Sequence, residues 1–233
     1  MSELFPEAVV TERLHLVRET DEYVDLRERY ESLADDALSD EEVQHAGFRP
    51  FEHLGDAREY VDVREAHWDD GNGVVYAIRP RDGEQGGGEA PRASDGRAVD
   101  DEESGDLAGE AELSMDWGER RGVISCYLRE PYWGRGYSGE RAAALLALAF
   151  ERFDLDVVVT AHAVENENSR RAVEKYVERF GGERDGGIRN WGRLDGEPVD
   201  LVQYSITRED YDESGERPTV EFVDGRDDRR KSR

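Results

Sequence analysis

Three glycines, Gly134, Gly136 and Gly139, stand at the point where a predicted strand is followed by a predicted helix. Residues 122–128 before them are rich in β-branched and apolar side chains, and residues 142–150 after them form an almost unbroken run of good helix formers. Glycine lets the backbone approach a ligand closely, and the free N–H groups of a first helical turn attract phosphate oxygens. The spacing therefore indicates either a tight connection or a site for a ligand that carries phosphate.

Two nucleotide-binding motifs can be compared with this glycine turn. The Gly-Lys-Ser/Thr end of a P-loop is missing from it. The spacing of Gly134, Gly136 and Gly139 does satisfy G-x-G-x-x-G, but the turn lacks the early βαβ unit and the acidic residue about 20 positions further on that accompany a dinucleotide site. Neither motif describes this turn well.

Paired carboxylates form a second candidate site. Glu110 and Glu112 alternate along a predicted strand and therefore share one face, while Ala111 lies on the other. Such a pair can take a proton from an ammonium group if one carboxylate is partly desolvated. In a chain with so many acidic residues, a solvated strand face is the alternative.

The single cysteine, Cys126, lies within the predicted strand 122–128. One cysteine cannot form an intramolecular disulfide, and we expect a buried structural thiol and a reduced, cytoplasmic setting. The sequence has no apolar run of the roughly 20 residues that a membrane span needs. We therefore expect a soluble protein with no membrane partner.

The composition is strongly acidic. The chain has 57 acidic and 31 basic residues, a formal net charge of −26, and only two lysines, Lys175 and Lys231. Such a composition resembles that of proteins from salt-accumulating halophiles; an acidic interaction protein and a disordered chain are the alternatives, and the clear periodic segments argue against the second. Self-repulsion should make the fold depend on salt, and the lack of a basic face argues against nucleic-acid binding.

The segments around the glycine turn predict a mixed α/β arrangement. A strand, a helix and a second strand in this order form a βαβ unit, and the remaining strands read as antiparallel neighbours. The predicted strands are 8–18, 74–78, 107–117, 121–128 and 155–164, with a final hairpin over 187–206 that turns at Asp195-Gly196. The predicted helices are 22–34, 55–68, the segment after the glycine turn, and 169–180, for which Asn168 or Ser169 is a good N-cap.

Two segments lack the apolar residues that a folded core requires. Residues 81–105 are rich in glycine and acid, so they cannot offset the entropy of ordering, and we predict a disordered insertion between two paired strands. Residues 211–233 have mixed charge without a regular period and predict a disordered tail. The chain from residue 9 to residue 210 is then expected to form one domain.

Several motifs together resemble the GNAT superfamily of N-acetyltransferases. Its acetyl-coenzyme A loop, Gln/Arg-x-x-Gly-x-Gly/Ala, corresponds here to Trp133-Gly-Arg-Gly-Tyr-Ser138. The RimJ/RimL-like branch is similar in more detail, through Pro131-Tyr-Trp-Gly-Arg-Gly-Tyr137 with Glu140, the opening Thr11-Glu-Arg-Leu-His-Leu-Val-Arg18, Asn166-Glu-Asn-Ser169, and the terminal Arg189-Asn190 … Tyr204-Ser205. The resemblance covers about residues 9 to 210.

The resemblance implies a fold and a cofactor site. The expected fold is α/β (α+β), with a mixed central sheet of about six to seven strands, a V-shaped splay between two of them, and about four flanking helices. Acetyl-coenzyme A is the implied co-substrate, and no metal is expected. The implied contacts with it are Cys126, Tyr127, Leu128, Trp133, Gly134, Arg135, Gly136, Tyr137, Ser138, Gly139, Asn166, Asn168 and Ser169.

The resemblance also implies the chemistry. We expect acetyl transfer to a primary amine, most simply the N-terminal amine of a ribosomal-type protein; a small amine such as a polyamine or aminoglycoside, and a non-catalytic acyl-coenzyme A sensing module, are the alternatives. Val173 stands where many members have a tyrosine acid. We therefore expect Ser169, or else Tyr176, to protonate the leaving thiolate, and Glu110 or Glu112 to act as base. A monomer or a homodimer is expected.

In this family the helices after the first strand form one wall of the acceptor groove. This makes four aromatic residues candidate acceptor contacts, although such residues are more often part of a core. They are Phe48, Phe51, Tyr60 and Trp68.

Overall fold

Nine strands form one mixed sheet in the computed structural model, which describes residues 4–45, 48–81, 105–194 and 196–225. Their order across the sheet is β7-β8-β6-β5-β4-β3-β2-β1-β9, and every neighbouring pair is antiparallel except β5 and β6. The strands are β1 Ala8–Val10, β2 Leu14–Arg18, β3 Gly73–Pro80, β4 Gly109–Asp116, β5 Arg121–Leu128, β6 Val157–Ala163, β7 Glu183–Leu194, β8 Glu197–Thr207 and β9 Glu221–Val223.

Six α-helices accompany the sheet within the described residues. They are α1 Leu26–Leu33, α2 Asp40–His45, α3 Leu54–Asp69, α4 Tyr137–Ala147, α5 Glu167–Arg179 and α6 Arg208–Ser214. Side-chain caps fix several of their starts: Asp25 accepts hydrogen bonds from the first turn of α1, and Thr207 caps α6. The last turn of α4 continues as a π-helical turn over Leu148–Arg152.

The central helix α4 is buried almost all round. Every residue from Arg141 to Phe150 is buried, because the helix packs against β2, β5 and α5. Its small side chains, among them Ala142 and Ala144, let those elements approach closely. The glycine turn at its N-terminus is thereby held on a rigid element.

The parallel pairing of β5 with β6 stops after three residue pairs. Arg121, Gly122 and Val123 pair with Val157, Val158 and Val159, and the two strands then separate. Each stays in the sheet through its other neighbour, because β4 pairs with β5 as far as Leu128 and β8 pairs with β6 as far as Ala163. The expected βαβ unit and V-shaped splay are both confirmed.

The strand count exceeds the predicted six to seven for two reasons. The predicted first strand breaks at Thr11, whose backbone N–H donates to Leu14 O at 2.9 Å, so residues 8–18 form a hairpin of β1 and β2. The second extra strand, β9, pairs with β1 and lies at the edge of the sheet. The two helices beyond the predicted four, α2 and α6, are short and polar.

The prediction of a disordered tail from residue 211 is wrong for residues 211–225. Helix α6 runs to Ser214, and the chain then crosses to β1, where Phe222 packs against the main core. Pairing with the distant strand β1 orders this segment, although its composition alone does not predict order. Residues 226–233, and the predicted insertion except for residues 81 and 105, lie outside the described residues.

A buried ion network joins α1 and α3 to the sheet. Arg29 of α1 donates through Nε to Glu19 Oε1 at 2.8 Å, and its Nη1 lies 3.3 Å from Glu110 Oε1. Tyr60 Oη donates to Glu110 Oε2 at 2.7 Å, and Arg64 Nη2 lies 3.3 Å from the same oxygen. Arg29 is 1% exposed and Glu19 is 2% exposed, so removing the Arg29 charge would leave Glu19 without a counter-charge in a buried environment.

We expect Arg29→Met to lower the free energy of unfolding by about 3–5 kcal/mol, because Glu19 and Glu110 would lose their buried counter-charge. Urea unfolding at high KCl concentration measures it. Arg27→Met is the matched control on the same helix, since Arg27 pairs with Glu31 at 2.8 Å in an exposed position, and it should change the unfolding free energy little. Equal, small effects of the two substitutions would contradict the role given to Arg29.

Candidate functional site

A cleft of about 1040 Å³ opens where β5 and β6 separate. The end of β5, the glycine turn and the start of α4 form one wall, and β6 and a face of α5 form the other. Residues of α2, the turn before β2 and the segment after α6 complete it. The cleft thus joins the glycine turn to the gap between the strands.

The glycine turn has the backbone geometry that only glycine adopts readily. Gly136, the N-cap residue of α4, has φ +83°, and Gly134 has φ +73°. A Cβ atom built on Gly134 or Gly139 would meet no other atom within 4 Å, so the space beside both residues is open. The first turn of α4 therefore presents its unpaired N–H groups beside open space.

Glu140 fastens this turn to the first hairpin. Its Oε1 accepts hydrogen bonds from Thr11 Oγ1 at 2.6 Å and from Arg13 N at 2.8 Å, and its Oε2 accepts from Arg13 Nε at 2.7 Å. Arg13 Nη1 also donates to Arg135 O at 2.9 Å. The Thr-x-Arg opening and the glutamate after the glycine turn, distant in sequence, are therefore two halves of one anchor.

The structure brings nearly all the predicted cofactor residues to the cleft. The exception is Arg135, which does not line it and whose Nε donates to Pro131 O at 3.1 Å. The predicted residues that line it are Cys126, Tyr127, Leu128, Trp133, Gly134, Gly136, Tyr137, Ser138, Gly139, Asn166, Asn168 and Ser169.

The start of α5 differs from the prediction in its cap. The N-cap residue is Asn166, whose Oδ1 accepts from Ser169 N at 2.8 Å, and not Asn168 or Ser169. Asn168 is used instead to bridge the cleft, since its Nδ2 donates to Glu41 Oε1 of α2 at 2.6 Å. The hydroxyl of Ser169 makes no hydrogen bond with the described residues and lines the cleft.

Tyr176 also lines the cleft but is engaged in the core. Its hydroxyl donates to Thr160 Oγ1 of β6 at 3.0 Å, and burial raises its pKa, so it keeps its proton. Val173, one turn earlier, is buried and lines the cleft without a polar group. Of the two predicted proton donors, Ser169 has the less constrained hydroxyl.

The structure does not bring Glu110 or Glu112 to the cleft lining. Glu110 is neutralised by Arg29 and Arg64 in the buried ion network. Glu112 accepts from Ser114 Oγ at 2.7 Å and from Ser125 Oγ at 2.8 Å. The strand alternation correctly places both on one face. However, arginines of the helices packed on that face bind the Glu110 carboxylate, and serines bind the Glu112 carboxylate.

Sequence reasoning missed the residues that α2 brings to the cleft. Glu42 is buried and accepts hydrogen bonds from Tyr127 Oη at 3.0 Å, Glu130 N at 3.0 Å and Ser39 N at 2.8 Å. Because its carboxylate is occupied by these donors, its role is to position them. His45 lines the cleft, and its Nδ1 is buried without a hydrogen-bond partner among the described residues. A six-residue polar helix gives no periodic signal, so this contribution was not predictable.

A row of cations along α5 was also missed. Arg171, Lys175 and Arg179 recur every four residues and line the cleft, and Arg217, from the segment after α6, joins them. Arg179 pairs with Glu216 at 2.6 Å, whereas Lys175 has no partner among the described residues. The four-residue spacing was the available signal, but Glu174 and Glu178 of the same helix also lie four residues apart.

The four aromatic residues expected at the acceptor do not line the cleft. Phe48, Phe51 and Tyr60 form an edge-to-face cluster beside Tyr127, with Phe48 4.9 Å from the Tyr127 ring centre. Trp68 packs on Phe5 in the main core, 5.2 Å between ring centres. The cluster supports Tyr127, which does line the cleft.

Two other kinds of site are missing from the described residues. No described helix has both the length and the apolar character of a membrane span. The same residues contain no group of three or more His, Cys, Asp or Glu side chains placed to hold a metal ion.

Comparisons with known proteins agree with this geometry. The sequence of residues 13–176 matches the family model described as "Acetyltransferase (GNAT) domain". No curated protein matches the chain.

Three solved structures illustrate the shared fold. The first is the microcin C7 self immunity acetyltransferase MccE in complex with acetyl-CoA and AMP, with TM-score 0.68, 14% identity and coverage of 88% of this chain and 98% of that chain. A GCN5-related N-acetyltransferase from Brucella melitensis has TM-score 0.67, 17% identity and coverage of 91% and 84%. The Salmonella typhimurium acetyl transferase that modifies the N-terminal serine of ribosomal protein L7/L12 has TM-score 0.62, 15% identity and coverage of 85% and 98%.

At these identities the solved structures establish the fold alone. The family model, however, matches well over half of the chain and includes Arg13 and Glu140 of the anchor, the glycine turn and most of α5. The chain therefore belongs to the GNAT acetyltransferase family, whose members use acetyl-coenzyme A.

Proposed function

We propose that this protein transfers the acetyl group of acetyl-coenzyme A to the N-terminal amine of a protein, by direct attack in a ternary complex. The observation that carries this proposal is the cleft between β5 and β6, which ends at the glycine turn. A gap between two strands beside a helix N-terminus with free N–H groups fits a ligand with a pyrophosphate at one end and an extended arm.

The residues present fit coenzyme A. The N–H groups of Tyr137, Ser138 and Gly139 in the first turn of α4 would hold the pyrophosphate, beside the open space at Gly139. The edge of β5 that does not pair with β6, at Cys126, Tyr127 and Leu128, would hold the arm as a partial extra strand, although Leu128 O already accepts from Trp133 Nε1 at 2.6 Å.

The charge of the cleft supports the same assignment. The chain has a net charge of −26, so a polyanionic ligand needs local positive charge to bind. Arg171, Lys175 and Arg179 of α5 supply it along one side of the cleft, with Arg217 beside them. Lys175, which pairs with no carboxylate of the described residues, is available for a phosphate.

The acceptor would enter on the α2 side. Glu41 lines this part of the cleft and offers a carboxylate that attracts a protonated amine. The amine must be neutral to attack, and His45, whose Nδ1 makes no hydrogen bond with the part of the chain that the structure describes, is the group we assign to remove its proton. The N–H groups of β5 would polarise the thioester carbonyl, and Ser169 would protonate the thiolate.

A protein N-terminus is favoured over a small amine by similarity. One structural neighbour modifies the N-terminal serine of a ribosomal protein. An acidic surface would also attract basic ribosomal proteins, in a cytoplasmic setting that suits the half-buried free thiol of Cys126.

With acetyl-coenzyme A as donor, we expect a peptide with a free N-terminus to be acetylated on that amine, and the same peptide with a blocked N-terminus and an internal lysine to react at least about tenfold more slowly. Mass spectrometry locates the acetyl group. Polyamines and aminoglycosides belong in the same assay, and faster turnover of either would replace the protein acceptor by a small amine.

His45→Gln tests the assigned base in this assay. It should lower kcat by about 10²–10⁴-fold while acetyl-coenzyme A still binds. An unchanged kcat would remove His45 from the mechanism. Tight binding without turnover of any amine would instead favour an acyl-coenzyme A sensor.

Gly139→Trp should weaken acetyl-coenzyme A binding by at least about 100-fold, because the indole would occupy the open space beside the first turn of α4. Calorimetric titration measures it. Gly118→Trp is the matched control, since its Cβ has only an aspartate side chain nearby, at 3.5 Å, and it lies outside the cleft. Equal affinities for both variants would move the cofactor away from the glycine turn.

We also propose that the acidic composition is an adaptation to molar salt. The urea midpoint of unfolding should then rise as KCl is added, because screening weakens the repulsion among surface carboxylates. NaCl should act similarly if screening is the cause. A midpoint that does not change with either salt would contradict the proposal.

A further inference from the structure

Arg141 is a buried cation that has no carboxylate partner. It lies in α4, is 3% exposed and lines the cleft. Its Nη1 donates to Ser125 O at 3.2 Å, its guanidinium carbon lies 5.6 Å from the centre of the Tyr176 ring, and its side chain also reaches the Cys126 thiol. Its Nε has no hydrogen-bond partner, and no described carboxylate forms an ion pair with it.

Leaving a buried cation unpaired costs several kcal/mol. The chain does not lack carboxylates, since it has 57 acidic residues. Another buried arginine, Arg29, is paired with Glu19 and Glu110. The unpaired state of Arg141 is therefore specific to its place in the cleft, which indicates that a negative charge arrives there with a ligand or forms during the reaction.

The position of Arg141 identifies which part of a ligand it meets. Ser125 lies two residues beyond the last β5–β6 pair, and Thr160, which holds Tyr176, lies one residue beyond it on β6. Arg141 thus occupies the narrow end of the splay. Leu128, the last residue of β5 before the glycine turn, is three residues from Ser125, or about 10 Å along the strand. A ligand with its phosphates at the glycine turn places its far end towards Arg141.

We propose that Arg141 stabilises the negative charge that develops on the sulfur of coenzyme A as the acetyl group leaves, an inference that depends on the proposed function. The amine nitrogen attacks the carbonyl carbon, a C–N bond forms, and the C–S bond breaks with its electron pair on sulfur. The ammonium proton passes to His45 or to water. Arg141 contributes charge and N–H donors but no proton, because a guanidinium stays protonated in proteins.

This role compensates for the apolar side chain at Val173. A tyrosine acid at that position would neutralise the thiolate by giving it a proton, whereas a fixed cation neutralises it by proximity. The thiolate can then take its proton from Ser169 or from solvent after the bond has broken. Arg141 is in this sense a catalytic residue of the reaction.

The charged and titratable groups around Arg141 are few. Cys126 of β5 and Tyr176 of α5 face it. The charge of Glu110, on the neighbouring strand β4, raises the pKa of Cys126. Glu140 of α4 is paired with Arg13. Burial raises the pKa of the Cys126 thiol above its usual 9.0 and the pKa of the Tyr176 hydroxyl above its usual 10.0. Both stay mainly protonated up to pH 9.0, so a thiol of bound coenzyme A is the group whose ionisation Arg141 would alter.

The test compares coenzyme A with desulfo-coenzyme A, which lacks the thiol, by calorimetric titration of the whole protein from about pH 6 to about pH 9. Arg141 favours the thiolate, so the bound thiol has a lower pKa than the free one, near 8.5. The affinity ratio of coenzyme A to desulfo-coenzyme A should be flat below the bound pKa and rise between the bound and free values. A pKa lowered by one unit gives a rise of about tenfold.

Three variants decide the source of this rise. Arg141→Gln should abolish it, and Arg141→Lys should keep part of it. Arg208→Gln is the matched control: Arg208 Nη2 also donates to backbone oxygens, of Phe150 at 2.9 Å and Leu155 at 2.8 Å, but it lies outside the cleft. It should keep the full rise.

Each outcome has a distinct meaning. A flat ratio in the wild-type protein overturns the inference even if Arg141→Gln fails to fold, and so does an undiminished rise in Arg141→Gln. If the folded wild-type protein binds neither ligand, the proposed cofactor site fails instead.

Discussion

The loss of hydrogen bonding between β5 and β6 after Val123 and Val159 is the feature on which the site depends. Both strands remain paired with their other neighbours, so each side of the gap is part of the sheet. Backbone groups that face it need a partner, because unpaired buried N–H and C=O groups cost free energy. A ligand that presents amides along an extended arm satisfies them. The Arg141 side chain of α4 also lines this gap.

Two close contacts position the end of β5 and the glycine turn beside this gap. Gly109, opposite Leu128, has φ +151°, and a Cβ on it would lie 2.1 Å from Tyr127 O, so β4 and β5 approach closely at the end next to the glycine turn. At the same end Glu140 ties α4 to β2 through Thr11 and Arg13. The position of the glycine turn relative to β5 is therefore set by side chains from three separate parts of the chain.

Local patterns predicted the parts of the site that are local. The glycine turn, the strand before it and the apolar run of α4 are contiguous, and each has its own periodic signal. Strand alternation likewise placed Glu110 and Glu112 on one face correctly. It could not show that Arg29 and Arg64, 81 and 46 positions away from Glu110, would neutralise it there. Strand β9 and the contacts that Glu41 and Glu42 of α2 make at the cleft were missed for the same reason, because both depend on partners that are distant in sequence.

The net charge and the local charge of this protein act over different distances. At an ionic strength of about 1 M the screening length is about 3 Å, so the repulsion between a chain of charge −26 and a polyanionic cofactor vanishes beyond contact range. Contacts that Lys175 and the buried Arg141 would make with the cofactor in the cleft should survive, because buried and touching charges are screened least. A protein can thus carry a surface of one sign and still bind a ligand of that sign, provided its few unpaired cations stand inside the site.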